Sequence, residues 1–372
     1  MKFSCERQVL LAAILTAARV AAAKSPVPEL EGLLVAAQGA QVKISGYDLK
    51  TGITTTVEAD VAENGSIVLN SRLFGEIVRK LPDGYVTITV NDSYLTHIEC
   101  EMSEFDIMGA AAHNYPELPI LDTQRSVSVP GDVLKEMIAQ TNFAVSDNES
   151  RPIHTGALFE IDGDSITVVA VDGYRLALRR EGLENGLSEA VSFVVPGTAL
   201  GEVERVFSAH EDAILISLGT KHVMFSVDNA MLISRRLEGE FLNYKTAIPQ
   251  DGKYSINVDR RTMIEAVERV ALIINDKQKS PLRCTFGDGV AKLQAVSTLG
   301  RAFDECPVEG DAENLEIGFN DRFLLEALRA APADDVCIRL SSGITPCVIA
   351  PADSSGKFVY MILPVRLRTN EG

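Results

Sequence analysis

No two of the six cysteines (Cys5, Cys100, Cys284, Cys306, Cys337 and Cys347) form a C-x-x-C pair. The spacings of a zinc site or a disulfide framework are therefore missing, and such scattered thiols read as idle and reduced, in a reducing compartment. The histidines His97, His113, His154, His210 and His222 never fall three or four residues apart, so no helical histidine metal site is expected. The P-loop spacing G-x-x-x-x-G-K-[ST], the zinc-protease H-E-x-x-H and the nucleophile elbow G-x-S-x-G are all missing. Gly356-Lys357 lacks the upstream glycine of a P-loop and reads as a hairpin turn. No catalytic residue, metal ligand or cofactor is assigned. No apolar run approaches the roughly 20 residues that span a bilayer, so no membrane contact is expected and a cytoplasmic location follows. Positive charge is also short: 35 Lys and Arg stand against 52 Asp and Glu, a net charge of −17. Taken alone, that weighs against nucleic acid as a partner.

What is present is ordinary globular composition, 46% hydrophobic and 23% charged, in 372 residues. At about 150 residues per domain this suggests two or three domains. The apolar run 9–18, preceded by Lys2 and followed by Ala21-Ala22-Ala23, imitates a secretory signal. Glu6 and Arg7 crowd it and Arg19 closes it, and the same pattern recurs downstream, so an amphipathic helix is the better reading.

The recurrence sets the architecture. A short strand running into an apolar-periodic helix occupies residues 3–15 and returns at 127–138 and 256–267. A second module of the same order occupies 66–78, 192–204 and 316–328, with Asn70, Pro196 and Asn320 at the strand-to-helix junction. A cap or a proline there favours the first helical turn. Polar turns and alternating strands at 86–90, 213–218 and 336–340 follow. The chain thus reads as three α+β domains with extensive antiparallel sheet, each built of two strand–helix–strands modules. Breaks fall near 119–124 and 249–252, giving domains 1–122, 123–250 and 251–372.

Four segments then carry a resemblance. M-K-F-S-C-E-R at 1–7, V-D-G-Y-R-L-A at 171–177, L-E-I-G-F-N at 315–320 and Y-M-I-L-P-V-R-L at 360–367 are similar, in this order, to motifs of the β subunit of bacterial DNA polymerase III, the sliding clamps. The likeness covers nearly the whole chain. It implies a processivity factor: a homodimer whose two chains each form half of a closed ring, sheets outside and helices inside, around double-stranded DNA. Implied partners are the replicative polymerase, the clamp loader, other proteins carrying clamp-binding peptides, and a second copy of the chain. A multidomain enzyme without a site signature is the alternative, marked by an activity indifferent to DNA topology. A secreted repeat-domain binding protein is a third reading, marked by cleavage near the N-terminus.

The resemblance also answers the charge objection. Segments that would supply inner helices carry a small positive excess, and the acid lies elsewhere. Candidate DNA-facing residues are Arg7, Lys24, Arg72, Arg79, Lys80, Lys135, Arg205, Arg260, Arg261, Arg269, Lys277, Lys279, Arg322 and Arg329, and by resemblance Arg151, which with Lys24 matches family positions near DNA. The family's partner-peptide pocket, which takes a Gln and two large apolar residues, maps to Arg151, Ile153, His154, Val171, Gly173, Tyr174, Arg175 and Leu176. It continues through Leu242, Thr246, Ala247, Met361, Ile362, Leu363, Pro364, Val365, Arg366 and Leu367. Tyr174 stands where His is frequent, His154 where Leu is common and Leu242 where Pro is usual. Asp172-Gly173 also reads as a β-turn with Gly at positive φ. The dimer contact maps to Phe105 and Ile107 of one chain against Leu272 and Ile273 of the other. Residues 368–372 extend past the family's usual end and are expected to matter little to the pocket.

Overall fold

A computed structural model describes residues 1–121, 125–184, 187, 189–208, 212–250, 252–274 and 280–367. Among these, the helices are α1 (Arg7–Ala17), α2 (Ser71–Lys80), α3 (Gly131–Ala139), α4 (Gly197–Val206), α5 (Tyr244–Ala247), α6 (Arg260–Ala271) and α7 (Asp321–Ala330). All except the single turn α5 follow a strand directly or after one residue: Lys2–Glu6, Gly65–Asn70, Arg125–Val129, Val191–Pro196, Tyr254–Asp259 and Leu315–Phe319. Local chemistry sets several of these junctions. The side-chain oxygens of Asn70, Asp259 and Asn320 accept from the backbone N–H of Leu73, Thr262 and Phe323 at 3.0, 2.7 and 3.2 Å. Each satisfies a donor that the first helical turn leaves unpaired.

The chain divides into two compact units, Met1–Leu134 with Gly201–Arg236, and Lys135–Leu200 with Leu237–Gly372. The first holds a five-stranded and a nine-stranded sheet. Strand Lys2–Glu6 lies between Asp60–Glu63 and Tyr85–Val90. Helix α1 buries Leu10, Ala13, Ile14 and Ala17, one face at helical spacing, against strands Gln41–Tyr47 and Thr51–Glu58, with α2 alongside. The signal-like run is thus an element of a packed core. The approach is close at Gly46, where a Cβ would stand 2.1 Å from the Ala17 carbonyl oxygen.

The second unit holds an eight-stranded and a four-stranded sheet. There α6 packs on strands Val290–Ser297 and Gly300–Pro307, with α7 beside it. Among the described residues all ladder pairs are antiparallel, and the large sheets join consecutive repeats. Thr51–Glu58 pairs with Ala230–Arg235, placing Gly52 opposite Ile233. Arg175–Gly182 pairs with Phe358–Ile362, placing Arg175 opposite Ile362.

The six cysteines are buried free thiols. Burial pushes Cys306 up to about 11 and Cys347 up to about 12, which keeps both protonated and poor nucleophiles. No helix among the described residues is long and apolar enough to cross a membrane.

Candidate partner-binding site

The second unit gathers the residues from 171–176 and 361–367 at one place. Strand Ser165–Val171 ends in a turn that Asp172 organises. Its Oδ1 accepts from the backbone N–H of Tyr174 at 2.8 Å and of Arg175 at 3.0 Å. Gly173 takes φ +95°, a conformation that suits glycine. The turn presents Tyr174 with 65% of its surface exposed.

The C-terminal segment is laced to this turn and to the third repeat. The Leu363 N–H donates to the Tyr174 carbonyl and the Val365 N–H to the Gly318 carbonyl, both at 2.8 Å. Gly318 is required by proximity, because a Cβ there would meet the Val365 oxygen at 2.4 Å and Leu367 Cδ2 at 2.8 Å.

A cavity of about 490 Å³ opens between these parts, lined by Tyr174, Ile274, Ser280, Pro281, Phe319, Asn320, Asp321, Arg322, Phe323 and Val365. Apolar walls with a few placed polar groups suit an extended peptide with apolar anchors. Adjoining residues form an apolar cluster in which Val171, Leu176 and Met361 are buried beside Leu158, Leu178, Val194, Tyr244 and Val348, with Ile153, Phe241 and Ile248 packed against it. Ile362 is buried too. Leu242, Thr246, Leu363 and Arg366 are exposed, and Ala247, Pro364, Val365 and Leu367 half-buried. The Tyr244 hydroxyl donates to Glu160 Oε2 at 2.5 Å, which ties down the 242–247 lip. Burial, and then the nearby Arg151 charge, lowers the pKa of His154, whose ring stands edge-on to Phe241 at 5.6 Å.

The sequence reading missed one half of this cavity. Ile274, Ser280, Pro281, Phe319, Asn320, Asp321, Arg322 and Phe323 come from around α6 and α7. In the sequence Asn320 was visible as a helix cap and as the last residue of the 315–320 motif, and Phe323 as an ordinary helical apolar position.

The candidate DNA-facing residues divide by their partners. Lys24, Arg72, Lys80 and Arg151 are exposed and make no ion pair among the described residues. Arg79, Arg205 and Arg261 pair within their own helices with Glu76, Glu202 and Glu265. Such exposed pairs hold weakly. Arg260 is half-buried, its Nε donating to the Ala333 carbonyl at 2.7 Å. Arg269 pairs with Asp304 on strand Gly300–Pro307, and that hydrogen bond holds the Asp304 carboxyl below its usual range. Lys135 is half-buried. Lys277 and Lys279, and the extension 368–372, lie outside the described residues.

Phe105 is 38% exposed and Ile107 half-buried on Ser103–Met108, an edge strand of the five-stranded sheet. Leu272, 82% exposed, and the half-buried Ile273 follow α6. The edge strand Gly300–Pro307 exposes Phe303. Met108 and Phe303 were not singled out in the sequence, where strand alternation gives no sign of which edge stays open.

Three family domains of the DNA polymerase III beta subunit match in order: N-terminal over residues 1–119, central over 128–243 and C-terminal over 245–366. The chain belongs to the DNA polymerase III β-subunit family. A beta sliding clamp of Halalkalibacterium halodurans is 30% identical, the match covering 98% of this chain and 100% of that protein. One of Staphylococcus aureus, strain Mu50, is also 30% identical over 98% of this chain and 99% of its own. Among solved structures, a putative DNA polymerase III beta subunit from Eubacterium rectale superposes with a TM-score of 0.94 at 30% identity, covering 99% of this chain and 100% of that one. The DNA polymerase sliding clamp of Bacillus subtilis gives 0.94 at 28% identity with the same coverage. The three-domain architecture with repeated strand–helix modules is that of the clamp fold. Membership makes the chain a sliding clamp, a non-catalytic processivity factor for a replicative polymerase.

Proposed function

We propose that two copies of this chain join head to tail into a ring that encircles duplex DNA and holds the replicative polymerase to it. The observation that carries this reading is the pair of open sheet edges that leave large apolar side chains exposed among charged ones. Ser103–Met108 exposes Phe105 and Met108, and Gly300–Pro307 exposes Phe303 near the end of α6, where Leu272 is exposed. An open edge that exposes large apolar side chains is a liability that a partner removes. A heterologous contact that closes after two copies covers both kinds of edge at once. Phe105 and Ile107 would meet Leu272 and Ile273 across it, and the repeats would span 1–122, 123–250 and 251–372.

Within the ring the cations Lys24, Arg72, Lys80 and Arg151 would touch phosphates, assisted by the loosely paired Arg79, Arg205 and Arg261. Few such contacts on a chain of net charge −17 give weak, salt-sensitive affinity, and retention comes from enclosure. The cavity beside Tyr174 and Val365, with the apolar cluster adjoining it, would take the clamp-binding peptides of the polymerase, the clamp loader and other DNA-processing proteins. The test is primer extension by a bacterial replicative polymerase on a singly primed circle, with a clamp loader present. Product length per binding event should rise when this chain is added. Unchanged product length would contradict the proposal.

A further inference from the structure

Arg175 was expected in the pocket wall, yet only 7% of its surface is exposed, and it does not line the cavity. Its guanidinium is occupied on every side. Nε donates to Asp172 Oδ2 at 2.8 Å, Nη2 donates to the Phe143 carbonyl at 2.7 Å, and Nη1 pairs with Glu326. The guanidinium carbon lies over the Phe323 ring, 4.3 Å from its centre, and over the Phe143 ring at 5.4 Å. Burial works against the Glu326 carboxylate, but hydrogen bonds from Arg322 and Arg175 outweigh it and lower its pKa.

These contacts join the two sides of the cavity. Asp172 holds the turn that presents Tyr174, while Glu326 and Phe323 belong to α7, and both Tyr174 and Phe323 line the cavity. A planar group with directed donors and two stacking faces fixes both separation and orientation, which an ammonium cannot do. We propose that Arg175 is a positioning residue for the partner pocket: it touches no peptide, and it sets the gap between Tyr174 and Phe323 into which the peptide's apolar anchor fits. This rests on the pocket reading above.

The test titrates a fluorescein-labelled peptide carrying one Gln and a Leu-Phe pair against the full-length dimer. Arg175→Lys keeps the charge and gives up the planar fork. It should weaken binding about tenfold or more while the native mass stays as in the unaltered protein. Arg175→Ala, where it folds, should regain affinity when methylguanidinium is added, a rescue that a general loss of stability would not show. Glu326→Gln, which keeps the shape of the partner, should weaken binding in the same direction and covers the case in which Arg175→Ala does not fold. Tyr174→Ala serves as the wall control. If Tyr174→Ala weakens binding and both Arg175→Lys and Glu326→Gln bind like the unaltered protein, the positioning role is overturned and the pocket stands. If the unaltered protein does not bind the peptide, or Tyr174→Ala leaves affinity unchanged, the pocket reading falls and the inference with it.

Discussion

Two residues show how much a single side chain, or the lack of one, decides here. Gly318 permits the C-terminal segment to lie on strand Leu315–Phe319, since a Cβ would overlap the Val365 oxygen at 2.4 Å. Gly318→Ala should destabilise the protein by about 1–3 kcal/mol, the usual cost of overpacking. It should also speed hydrogen exchange at the Val365 amide, measurable by NMR. Unchanged exchange there would show that the segment is held by something else. His97 carries a pH effect. Its Nδ1 lies 2.9 Å from Asp106 Oδ1, and that hydrogen bond raises the imidazole pKa above its ordinary value. A raised folded value means the pair's stabilisation is fully present below the unfolded pKa, about 6.5, and is lost as pH rises through the folded value. NMR titration should place His97 above the ordinary midpoint, and Asp106→Asn should bring it back down. The Asp172-Gly173 turn was legible in the sequence, because a positive φ is what an Asp-Gly pair invites. The burial of Arg175 was not. Arginines are seldom buried, and its partners Phe143 and Glu326 lie far off in the chain.

At the scale of elements, the repeated strand-to-helix junctions were readable because capping chemistry is local. Asn70 and Asn320 both cap as the sequence suggested. Asn70→Ala removes the acceptor for the Leu73 N–H without touching the pocket. It should cost about 1 kcal/mol in denaturant unfolding, with an unchanged dependence on denaturant concentration. A loss near zero would mean that water replaces the cap fully. The open edges at Ser103–Met108 and Gly300–Pro307 were not readable, since alternation identifies a strand but not its neighbours. The same limit hid the α7 half of the cavity. The polar and apolar residues at the start of α7 serve the helix itself, and only tertiary placement turns Asn320 and Phe323 toward a cavity.

For the whole molecule, the threefold repeat was plain in the sequence, while the way the repeats share sheets was not. Pairing of Thr51–Glu58 with Ala230–Arg235, and of Arg175–Gly182 with Phe358–Ile362, depends on long-range register that no local pattern encodes. In the proposed ring, assembly would carry that logic one step further, through the edges left open. Leu272→Ala together with Ile273→Ala strips apolar side chains from the proposed contact, so light scattering should report a species near the 40.2 kDa chain mass in place of the dimer. A dimer unaffected by both changes would remove this contact from the account.

Enclosure of the duplex is tested by the lifetime of loaded protein on DNA. The protein is loaded onto a nicked circle with a clamp loader, the circle is cut once, and the bound fraction is followed before and after. A closed ring predicts long retention on the circle and rapid loss from the cut molecule at the same salt concentration. Direct phosphate binding would give equal half-lives on both, with a steep fall as salt is raised, and equal half-lives would contradict the ring.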